Sequence, residues 1–132
     1  MAQTTVLIVD DTEDVRTIHG ILLKRLGYRV LEAHNGSEAV RLASERHPDA
    51  ILMDLGLPVL DGWGAIEALR ADPDTAGIPV IVVSSDDDPS SRERASAAGC
   101  DFLSKPCREN ELAASVAHAV GERPPSVRPP GP

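Results

Sequence analysis

Five polar groups in this chain each stand directly after an apolar run, and together their types suit one kind of chemistry. Asp10 and Asp11 follow Thr4-Thr5-Val6-Leu7-Ile8-Val9, and Asp54 follows Ala50-Ile51-Leu52-Met53. Ser84 follows Val80-Ile81-Val82-Val83, and Lys105 follows Asp101-Phe102-Leu103-Ser104. Three carboxylates brought to one place crowd like charges, and some of their pKa values rise unless a counter-ion is present. A hard divalent cation relieves the repulsion, and oxygen-only ligands with room for water suit Mg²⁺ better than zinc. On this reading Asp11, Asp54 and the backbone carbonyl of Gly56 bind Mg²⁺ directly, with Asp10 acting through water. Taken alone, Asp54 is equally well a residue that caps a loop; its chemistry depends on the company it keeps.

That company requires a parallel sheet. Short runs rich in Val, Ile and Leu, uninterrupted by polar residues, suit strands buried on both faces. Between them lie helical patterns. Thr12-Glu13-Asp14 offers an N-cap and first-turn acids, and Val15, Ile18, Leu22 and Leu26 recur at helical spacing before Gly27. Tyr28 to Ala33 reads as a more polar strand near an edge. Ser37 to Arg46 predicts a helix with Ala39, Val40 and Ala43 inward. Gly56 and Pro58 end the strand that carries Asp54, and Asp61-Gly62 turns the chain into a helix using Ala65, Ile66 and Leu69. A helix with a thin Ala-rich inner face spans Ser91 to Ala98, and the last runs from Glu109 to Val120. Strand and helix alternate five times, which implies right-handed crossovers and a parallel sheet covered on both faces. Ligands of such sheets bind at the carboxyl ends of the strands, where all five polar groups would meet.

Composition narrows the field further. With 132 residues the chain makes one domain with a real core, and since Tyr28, Trp63 and Phe102 are its only aromatics that core is aliphatic. A formal net charge of −8 argues against nucleic acid as a direct ligand. No apolar run is long enough for a bilayer and no signal peptide is visible, so the expected compartment is the cytoplasm. Cys100 and Cys107 have neither the number nor the spacing of a zinc site or disulfide framework. Cys100 is expected to be buried, and Cys107 an unremarkable thiol. The stretch 121–132, Gly-Glu-Arg-Pro-Pro-Ser-Val-Arg-Pro-Pro-Gly-Pro, reads as a Pro-rich disordered tail after a domain spanning 1–120.

Asp10-Asp11 after a strand, Asp54 with Pro58 and Asp61-Gly62 downstream, Ser84 after the fourth strand, and Lys105-Pro106 together resemble the receiver domain of two-component response regulators, over Thr4 to Val120. Each motif alone is weak; all of them in order are specific. The resemblance implies a flavodoxin-like doubly wound (βα)5 fold with strand order 2-1-3-4-5. It implies that Asp54 accepts a phosphoryl group from a phosphohistidine of a histidine kinase or histidine phosphotransfer protein, with Mg²⁺ on Asp10, Asp11 and Asp54. Lys105 would pair with phosphoryl oxygens, aimed by a cis peptide before Pro106. Ser84 would hydrogen-bond the attached phosphoryl group, and Phe102 would turn inward into the space Ser84 vacates. The surface that changes would be the face of the fourth helix, fifth strand and fifth helix, where receivers dimerise or meet downstream proteins. Such a chain is a signalling domain, an enzyme only toward its own phosphorylation and dephosphorylation.

Some residues depart from the family pattern or need weighing. Ser85 stands where the family usually has Ala, and Gly56 and Asp86 occupy the positions that tune phosphoryl lifetime. Asp86-Asp87-Asp88 is more simply a solvated loop and helix cap, His19 a half-buried or exposed helix residue rather than a phosphodonor, and Asp61-Gly62 a structural turn. The competing functions are a Mg²⁺-dependent phosphatase with an Asp nucleophile, a flavodoxin-like cofactor binder, a pseudo-receiver, and a receiver fragment of a larger hybrid kinase or response regulator. The haloacid-dehalogenase type of phosphatase needs Asp-x-Asp after strand one, and Val9-Asp10-Asp11-Thr12-Glu13 lacks it. A flavin binder wants a Ser/Thr/Gly-rich phosphate loop and more aromatics.

Overall fold

The computed structural model describes residues 3–57, 60–85 and 88–121. The strand-ending role of Pro58, the tuning role of Asp86, the loop reading of Asp86-Asp87 and the tail after Gly121 lie outside the described residues. Strands β1 (Thr5–Val9), β2 (Arg29–Ala33), β3 (Ala50–Asp54), β4 (Val80–Ser84) and β5 (Asp101–Ser104) alternate with helices α1 (Glu13–Arg25), α2 (Gly36–Arg46), α3 (Gly62–Ala71), α4 (Pro89–Ala97) and α5 (Glu109–Ala119). The strands form one sheet in the order β2-β1-β3-β4-β5, and every pairing is parallel. This is the doubly wound topology that the alternation predicts.

The strands in the middle are apolar because both their faces are covered. One face packs Val9, Ile51, Met53, Val80 and Val82 against α2, α3 and α4 through Ala39, Ala43, Ala65, Ile66, Leu69 and Ala95. The other packs Val6, Ile8, Leu52, Ile81 and Val83 against α1 and α5 through Leu23, Leu112 and Val116. Cys100 is buried, and Cys107 is half-buried with its thiol pKa pushed up by burial, the opposite of an activated nucleophile.

Local signals place most helix ends. Asn35 Oδ1 accepts from Glu38 N at 2.7 Å, and Asp61 Oδ1 accepts from Gly64 N at 2.8 Å, so Asp61 is a helix cap as the turn reading requires. Asp88 caps α4 through Ser90 N, with Pro89 in its first turn. Gly27 and Gly99 follow α1 and α4 with φ of +95° and +74°, left-handed values that glycine adopts without penalty. Thr12 stands at the N-cap of α1, but its side chain makes no capping bond.

The inward face of α1 follows the sequence pattern at Val15, Leu22 and Leu26, which are half-buried, and departs from it at Ile18. Ile18, expected in the core, is 60% exposed and Ile21 is 48% exposed, whereas Gly20 and Leu23 are buried. Buried Gly20 faces the sheet: a Cβ built there would stand 3.8 Å from Val30 Cγ1 and 4.0 Å from Ile8 Cδ1, ordinary contact distances.

Candidate functional site

The parallel register brings every strand's carboxyl end to one rim, and the acids ride on it. Asp10, just past β1, is buried; Asp54, the last residue of β3, has a side chain only 12% exposed; Asp11 is exposed. A carboxylate oxygen from each of the three lies within 4.8 Å of the others. Lys105, just past β5, reaches across the rim to both buried acids, with Nζ 2.9 Å from Asp10 Oδ2 and 3.4 Å from Asp54 Oδ1. Its peptide bond to Pro106 is cis. Ser84, at the end of β4, is buried and pairs in register with Ser104, and its carbonyl accepts from Lys105 N at 2.8 Å. Asp54, Gly56, Trp63, Ser84, Ser85 and Lys105 line an open cleft of about 460 Å³.

The electrostatics follow from these positions. Burial holds the Asp54 carboxyl above its ordinary pKa; Lys105 opposes the rise, Asp10 adds to it, and the Gly56 N–H, 3.4 Å from Oδ1, opposes it. Burial alone would lower the Lys105 pKa, but the hydrogen bond to Asp10 and the charge of Asp54 raise it overall. The two directions agree once the distances are compared: the ammonium is nearer Asp10, so Asp54 is the less completely neutralised acid. Asp10 has both oxygens occupied, one by Lys105 and one by Thr12 N at 2.9 Å. The part of the site still in need of positive charge is therefore the side bounded by Asp54 and exposed Asp11. An oxygen-only cluster with one solvent-facing acid fits a hard divalent cation that keeps some of its water.

A family profile described as the response regulator receiver domain matches residues 6–117. The chain belongs to the response regulator receiver family. Protein PilH of Pseudomonas aeruginosa is 36% identical over 84% of this chain and 93% of its own length. Transcriptional regulatory protein PrrA of Mycobacterium tuberculosis is 42% identical over 84% of this chain, which spans 47% of PrrA. Among solved structures, the receiver domain of sensor histidine kinase PA1611 from Pseudomonas aeruginosa, which holds a magnesium ion in its active-site cleft, is 36% identical with a TM-score of 0.83. That match covers 92% of this chain and all of the other. Chemotaxis protein CheY4 of Vibrio cholerae is 27% identical with a TM-score of 0.83, over 89% of this chain and 99% of its own. This receiver is thus a signalling domain of two-component systems, and no helix among its described residues is long and apolar enough to cross a membrane.

The sequence reading brought Asp10, Asp11, Asp54, Ser84 and Lys105 to one place, and they stand together in this receiver. Phe102 is half-buried on β5, one strand away from the cleft. His19 is half-buried on α1, and burial lowers its pKa. Spacing did not mark Arg16, whose Nη1 donates to Asp10 O at 2.7 Å, or the approach of Arg94 to Trp63, whose ring centroid lies 4.4 Å from the guanidinium. Nothing in the spacing of either pair marks it, because each joins elements distant along the chain or turned toward each other only by the fold.

Proposed function

We propose that Asp54 is the phosphoacceptor of this receiver and that phosphohistidine of a kinase or phosphotransfer protein is the donor. The observation that carries this reading is the position of Asp54: it is the one acid of the cluster that lines the cleft and lies between Lys105 and Gly56. In the transfer, an Asp54 oxygen forms a bond to phosphorus while the P–N bond breaks, and that electron pair returns to the departing imidazole. Little covalent work falls to the protein; positioning and charge neutralisation carry the reaction. Lys105 meets the phosphoryl oxygens from one side. Ser84 stands ready to donate its hydroxyl to the attached group, and Phe102 follows Ser84 as the switch aromatic.

Asp11, Asp54 and the Gly56 carbonyl are the residues that would hold Mg²⁺, with Asp10, already engaged on both oxygens, acting through water. The cation supplies charge neutralisation to the phosphoryl oxygens when bound. Among the described residues, a Cβ at Gly56 would meet nothing within 4 Å, which leaves this side of the cleft open. The output is a change in protein binding through the face of α4, β5 and α5, with a homodimer or a downstream protein as the partner and the cytoplasm as the setting. Incubation with Mg²⁺ and acetyl phosphate, followed by mass measurement, tests the reading. One phosphoryl adduct is expected on the wild type and none on Asp54→Ala; labelling that persists in the variant would overturn the assignment.

A further inference from the structure

Helix α4 is the least conventionally attached element of the fold. It buries only Ser91 and Ala95, so no apolar stripe holds it to the sheet. Two arginines on it reach aromatic rings on neighbouring elements instead. Arg94 covers Trp63 of α3, and Arg92 covers Phe102 of β5 with its guanidinium carbon 4.7 Å from the ring centroid. Arg92 also donates through Nη2 to Ser104 Oγ at 2.6 Å. Phe102 and Ser104 are two apart on a strand and so project from the same face. Their register partners are Val82 and Ser84. The guanidinium is therefore fixed at two points, one of them beside the strand position of Ser84.

We propose that Arg92 is a positioning residue that holds Phe102 in the half-buried position it occupies beneath the guanidinium and thereby restrains the switch; the inference rests on the proposed roles of Asp54 as phosphoacceptor and Phe102 as switch aromatic. If Phe102 turns inward when Ser84 moves, the ring leaves the guanidinium and the cation–π contact is lost. The contact favours only the position Phe102 occupies in this structure, so it biases the equilibrium against the state that phosphorylation would favour. By linkage, a ligand that selects the inward state binds more weakly than its contacts with the cleft alone would allow.

Phe102 is the only phenylalanine in the chain, so biosynthetic labelling with 4-fluorophenylalanine gives a single ¹⁹F resonance. The experiment follows that resonance during titration with beryllofluoride and Mg²⁺, the fluoride standing in for the phosphoryl group. In unliganded Arg92→Gln, the resonance is expected to move from the wild-type position toward the beryllofluoride-saturated one. The variant should bind beryllofluoride about two- to fivefold more tightly, the range that one exposed cation–π contact covers. Arg92→Lys keeps a cation over the ring and should fall between the two. A resonance that stays at the wild-type position, with unchanged beryllofluoride affinity, overturns the proposal, as does equal displacement in the Gln and Lys variants. The parent reading fails separately, through absence of an acetyl phosphate adduct on wild-type Asp54.

Discussion

The middle of the sheet and its β5 edge are built on different principles. All five residues of β3 are buried, and β1 is buried from Val6 to Val9, so the acids at their ends stand on strands gripped from both faces. None of the four residues of β5 is fully buried, and the helix beside it is tied down through guanidinium–aromatic contacts. A metal-binding cluster needs oxygens held at fixed separations, and dense aliphatic packing gives that rigidity. A switch needs two arrangements of similar free energy, which weak, exposed contacts supply more readily. Under the proposed function, the two tasks would fall to the two regions.

Substitutions that probe the two regions should differ in size. Ile51→Ala, in the fully buried strand beneath the acids, is expected to cost about 2–5 kcal/mol by chemical denaturation. Gly62→Ala should cost about 1–3 kcal/mol. A Cβ there would collide with the Asp54 carbonyl oxygen and stand 2.7 Å from Leu55 Cα, both backbone atoms, so the segment that carries Asp54 would have to shift. Weakened Mg²⁺ binding should accompany the loss.

Asp54→Asn should move stability the other way. Because burial raises the folded-state pKa of Asp54, with Asp10 adding and Lys105 opposing, the ionised carboxylate is less favourable folded than unfolded. That handicap is absent below the ordinary carboxylate pKa of ~3.9. It grows as pH rises to the folded value and is fully present at neutral pH. In metal-free buffer at pH 7, Asp54→Asn should therefore be more stable than wild type, as a higher Tm would show. The gain should vanish in strong acid, and a variant no more stable than wild type at neutral pH would contradict the electrostatic account. Smallest of all, Arg94→Gln should cost about 0.5–1 kcal/mol, the range for an exposed cation–π contact. Amides of α4 should also exchange with deuterium ahead of those of β1 and β3. A cost for Arg94→Gln equal to that of Ile51→Ala would erase the distinction between edge and centre.

What could be read from the chain follows the same division. The strands and the acids at their ends are legible because a run such as Ile51-Leu52-Met53 is buried on both faces and Asp54 breaks it abruptly. The topology then fixes which polar groups converge. Ile18 was misplaced on α1 because periodicity counts side chains, and buried Gly20, which has none, faces the sheet. The thin Ala-rich face of α4 was legible, and Ala95 is buried there, but its arginine contacts were not. Apolar periodicity finds helices held by apolar stripes, whereas Arg92 and Arg94 look in sequence like ordinary solvated charges. Only the fold reveals that each lies over a ring.

The scarcity of aromatic residues has an experimental consequence. The single indole, Trp63, borders the cleft beneath the Arg94 guanidinium, while the single phenol, Tyr28, is sealed in the opposite layer against α1. Tryptophan emission should thus follow events at the cleft, and tyrosine absorbance should follow unfolding of the far layer. The unmodified protein carries two separate optical probes, and their signals under denaturant reveal whether its two layers melt as one.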